Sequence, residues 1–209
     1  MIIEYRISPG LTAYEESLRS MAECVVQVQK GMHSGLVWFL EYPPLYTKGV
    51  GTQPQDLLSP PFPIYEAPRG GRITYHGPGQ RVAYVILNLA QYQRDVKLYV
   101  HFLEEWMIET LRYFKVEGVR HGGRIGVWVG NKKIGALGVK TQRWVTSHGI
   151  SLNVNPDLSH YAHINPCGLE AYGVTSLHDL GIHVSMEEVD LVLKKTFGTL
   201  LQKFMMEKE

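Results

Sequence analysis

The chain reads as a mixed α/β domain of the α+β kind, with mixed β-sheets flanked by helices rather than a doubly wound parallel sheet. Three observations predict this. Helix-periodic segments stand near both ends and in the middle. Apolar strand-like runs separate them, in the order helix, strands, helix, strands, helix. No repeat or linker divides the 209 residues. With 44% apolar residues, one domain spanning 1–209 has enough material for a sizeable core.

The elements follow in order. Thr12-Ala13-Tyr14-Glu15 reads as a capping box opening a helix that runs to about Lys30, with Gly31 as its stop. Leu18, Met21, Ala22, Val25 and Val28 supply its apolar stripe. Gly35 to Leu40 is a short buried strand that Glu41-Tyr42-Pro43-Pro44 ends. Arg81 to Leu89 is another strand, entered by a glycine-rich loop. Lys97 to Phe114 carries Val100, Leu103, Met107, Leu111 and Phe114 at helical spacing. Ile125 to Val129 and Lys133 to Val139, joined through Gly130-Asn131, form a hairpin candidate, and Trp144 to Val154 continues the strands. Asn155 to Ser176 is rich in turn formers and aperiodic, the kind of long loop that often carries function. Ser185-Met186-Glu187-Glu188 then caps a helix whose Val189, Val192, Leu193, Phe197, Leu200 and Phe204 face a core.

Charge is unevenly spread. Arg69 to Arg143 holds 13 Lys+Arg against 5 Asp+Glu, while the rest holds 8 against 15, under a net charge of +1. Such a basic middle segment can steer an acidic partner. No nucleic-acid motif accompanies it. The N-terminus lacks the long apolar stretch of a signal peptide or membrane span, and Glu4, Glu15 and Glu16 do not suit a transit peptide. Two cysteines make no disulfide framework, so a reduced, cytoplasmic protein is expected, with no membrane partner.

Cys167 is the most telling residue for chemistry. It sits in the irregular turn Ile164-Asn165-Pro166-Cys167-Gly168, where it can pack through neither a helix nor a strand face. A free thiol has a pKa of roughly 8.5, so it needs a nearby cation to be a thiolate at neutral pH. Lys133 and Lys140 are candidates from the basic segment. Upstream, the glycine-dense run Arg69 to Gln80 offers backbone N–H groups as a polar cradle. Cys24, on the first helix, reads as an inert core thiol.

Four blocks point further: Arg69-Gly70-Gly71-Arg72-Ile73-Thr74-Tyr75-His76-Gly77-Pro78-Gly79-Gln80, Lys133-Ile134-Gly135-Ala136-Leu137-Gly138-Val139, His148-Gly149-Ile150-Ser151-Leu152-Asn153 and Asn165-Pro166-Cys167-Gly168. In this order they resemble the lipoyl(octanoyl) transferases. A fifth block, Tyr42-Pro43-Pro44-Leu45-Tyr46-Thr47, departs from the family, which commonly has His in place of Tyr42. The resemblance implies a fold related to the lipoate and biotin protein ligase catalytic domain. It also implies transfer of an octanoyl group from acyl carrier protein to a lysine of lipoyl domains. Those domains belong to 2-oxoacid dehydrogenases and the glycine cleavage H protein. By motif match Cys167 is the acyl-accepting nucleophile and Lys133 lowers its pKa. The substrate-binding set is Arg69, Gly70, Gly71, Arg72, Ile73, Thr74, Tyr75, His76, Ala136, Leu137, Gly138, Gly149, Ile150 and Ser151. No cofactor is implied beyond the phosphopantetheine that delivers the acyl group. An ATP-dependent lipoate or biotin ligase is the enzymatic alternative.

Two other signals do not develop. Gly135 to Thr141 superficially follows a phosphate-binding loop, but Val139 stands where Gly should precede Lys. His160 and His163 with Cys167 make an incomplete zinc set, so no metal is expected.

Overall fold

The computed structural model describes residues 3–165 and 172–206. Cys167 and its neighbours Pro166 and Gly168 lie outside the described residues. The elements run β1 (Glu4–Leu11), α1 (Tyr14–Gln29), β2 (Leu36–Glu41), β3 (Leu45–Lys48), β4 (Ile64–Glu66), β5 (Thr74–His76) and β6 (Gln80–Ile86). They continue with α2 (Val96–Tyr113), β7 (Val119–His121), β8 (Arg124–Val129), β9 (Lys132–Gln142), β10 (Val145–Asn153), β11 (Gly173–Val174) and α3 (Met186–Met206). The larger sheet has the order β1-β2-β6-β10-β9-β8-β7, with β11 beside β9, and a small sheet is ordered β4-β3-β5. Parallel pairs (β1/β2, β3/β4, β9/β11) mix with antiparallel ones, giving the expected α+β architecture.

Period-two alternation explains why the central strands look continuously apolar. On β2 and β6, Leu36, Trp38, Leu40, Val82, Tyr84 and Ile86 face α1, whereas Val37, Phe39, Ala83 and Val85 face the core shared with α2 and α3. Both faces are covered, so the middle of each strand carries no polar residue. By contrast, β1 is largely exposed and ends the sheet, where polar residues are tolerated. This hides it from the sequence pattern. The three short strands of the small sheet were likewise not expected.

The two capping boxes have different outcomes. At α3, Ser185 N–H donates to Glu188 Oε2 at 2.7 Å and Glu188 N–H donates to Ser185 Oγ at 3.2 Å, completing the reciprocal pair. At α1 the cap residue is Ala13, with no side-chain cap, and Thr12 N–H instead joins the Glu41 carbonyl at 2.8 Å. The β1-to-α1 connection is thereby tied to β2, and the cap position falls one residue past Thr12. The α1 face is also rotated from the expected stripe: Tyr14, Ser17, Met21, Cys24 and Val28 are buried, while Ala22 is exposed. Their spacing still follows one side of a 3.6-residue helix. Gly31, at φ 72°, terminates α1 as expected.

The hairpin forms by β8 and β9 with Gly130 at φ 56° in the turn. Its register pairs Val127 with Gly135 but Trp128 with Lys133, so β9 carries one extra residue, a β-bulge at Ile134. The aperiodic stretch after β10 contains a short 3₁₀ segment, Leu158–His163, and β11.

Candidate active site

A cavity of about 560 Å³ opens on the α1 side of the large sheet. Its lining runs from Tyr14 and Tyr84 past the Arg69 segment, along β9, to Lys133, Arg124, Trp128 and Tyr172. Three of the sequence blocks therefore surround one space. In β10, Gly149 lies opposite Gly138, Ile150 opposite Leu137 and Ser151 opposite Ala136, so two of the blocks are strand neighbours. Small residues face each other there because there is no room for larger ones. A Cβ on Gly138 would stand 2.8 Å from the Gly70 carbonyl oxygen, and one on Gly149 would collide with the Ala83 carbonyl.

The bulge at Ile134 decides where Lys133 points. Without it, strict alternation would put Lys133 on the same face as Gly135, whose missing Cβ would meet Met107 of α2 at 2.6 Å. With one residue inserted, Lys133 falls on the face of Ala136 and Gly138 and lines the cavity. Its Nζ donates to the Ile125 carbonyl at 3.1 Å and lies 4.8 Å from the centre of the Trp128 ring. Lys140 is exposed farther along β9 and does not line the cavity.

At the other end Arg69 is buried. Its Nη1 donates to the Gly70 and Arg72 carbonyls at 3.0 and 3.1 Å. Nη2 donates to the Thr47 carbonyl at 3.0 Å and to Thr47 Oγ1 at 2.7 Å. Burial pulls the guanidinium below its usual pKa, yet it stays a cation. All four acceptors are neutral, and among the described residues Arg69 has no carboxylate partner.

From Thr47 the hydrogen bonds run in one direction. Thr47 Oγ1 stands 3.3 Å from His76 Nε2, and His76 Nδ1 stands 2.6 Å from Gln80 Oε1. The Gln80 amide nitrogen donates to the Tyr75 carbonyl, Asn153 Oδ1 and the Tyr161 hydroxyl. Gln80 Oε1 must then accept, so His76 carries a proton on Nδ1. Burial, joined by the Arg69 charge, pushes His76 down to about 4, against the Gln80 hydrogen bond. His76 pins the loop rather than carrying protons.

Two amides of the glycine-rich run are engaged within the fold. Gly70 N–H donates to the Val139 carbonyl at 2.9 Å and Gly79 N–H to Glu41 Oε1 at 2.8 Å. These amides fasten the segment to β9 and β2. Tyr75, by contrast, is not among the residues that line the cavity. Thr74 and His76 do, and alternation along β5 sends Tyr75 to the opposite side, where its hydroxyl meets His160 Nδ1 at 2.8 Å. The remaining expected cavity residues, Gly71, Arg72, Ile73, Ala136, Leu137, Ile150 and Ser151 among them, do line it. His160 and His163 are engaged by Tyr75 and by Ser59 Oγ at 3.3 Å.

Several lining residues escaped the sequence reading, Trp128, Arg124, Tyr84 and His148 among them. His148 stood in a quoted block, but its burial and its φ of 60° are tertiary facts. Burial first, then the Arg69 and Lys140 charges, push it down to about 3. Tyr42, at the position of the family's His, bridges Ser17 Oγ and the Tyr84 hydroxyl at 2.6 Å each. Ser17 donates to the Tyr14 carbonyl at 2.7 Å, so Tyr42 donates to Ser17 and Tyr84 to Tyr42. Burial raises the Tyr42 hydroxyl well above its ordinary pKa, and it stays protonated.

A sequence profile for the lipoyl protein ligase A/B catalytic domain matches residues 13–198. The octanoyltransferase of Paramagnetospirillum magneticum is 50% identical over 201 residues, covering 93% of this chain and 95% of its own. This chain belongs to the octanoyltransferase family. That membership makes it an acyltransferase. The octanoyltransferase fold extends to more distant proteins. A lipoate-protein ligase A bound with ATP superposes with a TM-score of 0.76 at 16% identity, covering 95% of this chain and 86% of that one. A bipartite lipoate protein ligase from Thermoplasma acidophilum, from a lipoylation system studied with its E2 lipoyl domain, gives 0.73 at 15% identity, covering 97% and 84%. In this octanoyltransferase the described residues include no group of three His, Cys, Asp or Glu placed to hold a metal. No helix among them is long and apolar enough to cross a membrane.

Proposed function

We propose that the chain moves an octanoyl group from the phosphopantetheine thioester of acyl carrier protein to the ε-amine of a lysine on lipoyl domains, by way of a Cys167 thioester. The observation that carries this reading is the cavity that ends at Lys133, with three of the four sequence blocks on its walls. The 50% identity to an octanoyltransferase supports the acyl group and the lipoylation role. The basic stretch Arg69 to Arg143 suits an acidic carrier.

The chemistry balances in two steps. The Cys167 thiolate attacks the acyl carbonyl, the carbon–sulfur bond to phosphopantetheine breaks, and that thiol leaves with a proton. Bond type is unchanged, so the exchange costs little. The acceptor lysine amine then attacks the Cys167 thioester, an amide forms, and the Cys167 sulfur is released. Lys133 acts first as the ammonium that favours the thiolate. It gives a proton to the departing phosphopantetheine sulfur and, now a neutral amine, receives the proton of the attacking lysine as Cys167 is released as the thiolate. A thiolate–ammonium pair titrates as one unit. Burying about seven CH₂ and CH₃ groups of the acyl chain at ~0.8 kcal/mol each contributes roughly 5–6 kcal/mol, enough to favour octanoyl over much shorter chains.

Intact-protein mass spectrometry after mixing with octanoyl-acyl carrier protein tests the route. The expected product is an octanoyl adduct that hydroxylamine removes and that Cys167→Ser lacks. Efficient transfer from octanoic acid and ATP, with no thioester donor, would instead establish the ligase reaction.

A further inference from the structure

We propose that Trp128 is the positioning residue of Lys133, its indole face fixing where the ammonium stands at the mouth of the cavity. The inference rests on the reading above that Lys133 takes part in the transfer. Trp128 and Lys133 are register partners across the hairpin, directly before the bulge. The 4.8 Å from Nζ to the ring centre is within the reach of a cation–π contact. That contact is stronger where water is excluded, and Trp128 is only 2% exposed.

The surroundings are built for this approach. A Cβ on Gly126 would stand 3.2 Å from Lys133 Cε and 3.5 Å from Nζ, so its absence lets the lysine lie against β8. Gly126 has φ 125°, and its N–H donates to Glu104 Oε1 at 3.1 Å, which anchors β8 to α2. The indole is held by an Nε1–H bond to the Arg124 carbonyl at 3.4 Å and by edge contacts with His121 and Tyr172. Arg124 shares the ring at 5.6 Å and stacks on Tyr172 at 4.0 Å. A lysine side chain has four rotatable bonds, so a broad aromatic face beside the hydrogen bond to the Ile125 carbonyl restricts where its ammonium stands. The ring adds a broad point of attachment along the side of the ammonium.

The test is a double-mutant cycle on single-turnover transfer from octanoyl-acyl carrier protein to a lipoyl domain. Trp128→Leu is expected to slow the transfer about 10-fold, and Trp128→Phe to recover most of the rate, because a smaller aromatic face remains. In a Lys133→Ala background, Trp128→Leu should have no further effect. Equal losses in both backgrounds, or a Phe variant as slow as Leu, would overturn the proposal. If Trp128→Leu does not fold, the intact protein still decides: ring currents should move the Lys133 Cε protons upfield in NMR, with the signals assigned by their loss in Lys133→Arg. Unshifted signals would overturn it too. A Lys133→Ala protein with full activity would refute the transfer mechanism itself, a separate failure.

Discussion

The cavity has a cation at each end, and the two are held in contrasting ways. Arg69 has four donor contacts, all to neutral oxygens of the loops around it, and it is buried. Lys133 rests on an indole face and a carbonyl and is half-buried at the mouth. A guanidinium whose N–H groups are engaged by the backbone organises structure. An ammonium set against a π-face at a half-buried position is placed for chemistry. The difference predicts that substitution at one end unfolds the protein, whereas substitution at the other silences it.

The largest effect should come from Lys133→Ala, a fall of roughly 10²–10⁴-fold in single-turnover acyl transfer with the thermal midpoint almost unchanged. A variant that keeps the wild-type rate would remove the contrast at its chemical end. Arg69→Met should act on the fold. It strands the Thr47, Gly70 and Arg72 carbonyls and costs about 3 kcal/mol or more in urea unfolding. Arg69→Lys should recover little, because an ammonium cannot reproduce the planar fork. An Arg69→Met protein as stable as wild type would show that these contacts are dispensable.

Acid should also act on the Arg69 end. His76 and His148, at about 4 and about 3 when folded, titrate near 6.5 when unfolded. Their folded pKa values are depressed, so the unfolded chain binds the protons first as pH falls. The stability they confer is complete above about pH 6.5 and is lost as the pH drops toward those lower values. Each pH unit in that window costs about 1.4 kcal/mol per histidine. His148→Asn, which tolerates the left-handed backbone, should flatten the dependence between pH 6 and 4.5 by close to one proton. An unchanged slope in urea midpoints would contradict this. The smallest effect belongs to Tyr42→Phe, which removes the middle of the Ser17–Tyr42–Tyr84 chain. It should cost about 1 kcal/mol and leave transfer within twofold; a large loss of transfer would place this hydroxyl in the chemistry.

Much of this was legible beforehand where a residue's own chemistry governs. The α3 cap, the Gly31 stop, the β8–β9 hairpin and the apolar stripes of α2 and α3 follow local rules, and the structure has them. The α1 cap does not follow: Thr12 pairs with a strand distant in sequence, and the cap position falls at Ala13. β1 escaped because an edge strand can be polar, and β5 because three residues show too little alternation among glycines. The side of β5 on which Tyr75 lies was not legible for the same reason.

The sequence by itself determined which residue types are available: a lysine followed by small residues, an arginine before paired glycines, and the blocks that mark the family. Composition and short-range pattern suffice for that, since each is a property of neighbouring residues. Only the tertiary structure decided how they are used. One extra residue at Ile134 turned Lys133 onto the face of Gly138, and strand pairing brought Gly149 against it. The backbone oxygens around Arg69 made that cation structural. Those outcomes depend on register and on burial between segments far apart in the chain, and neither exists until the sheets have assembled.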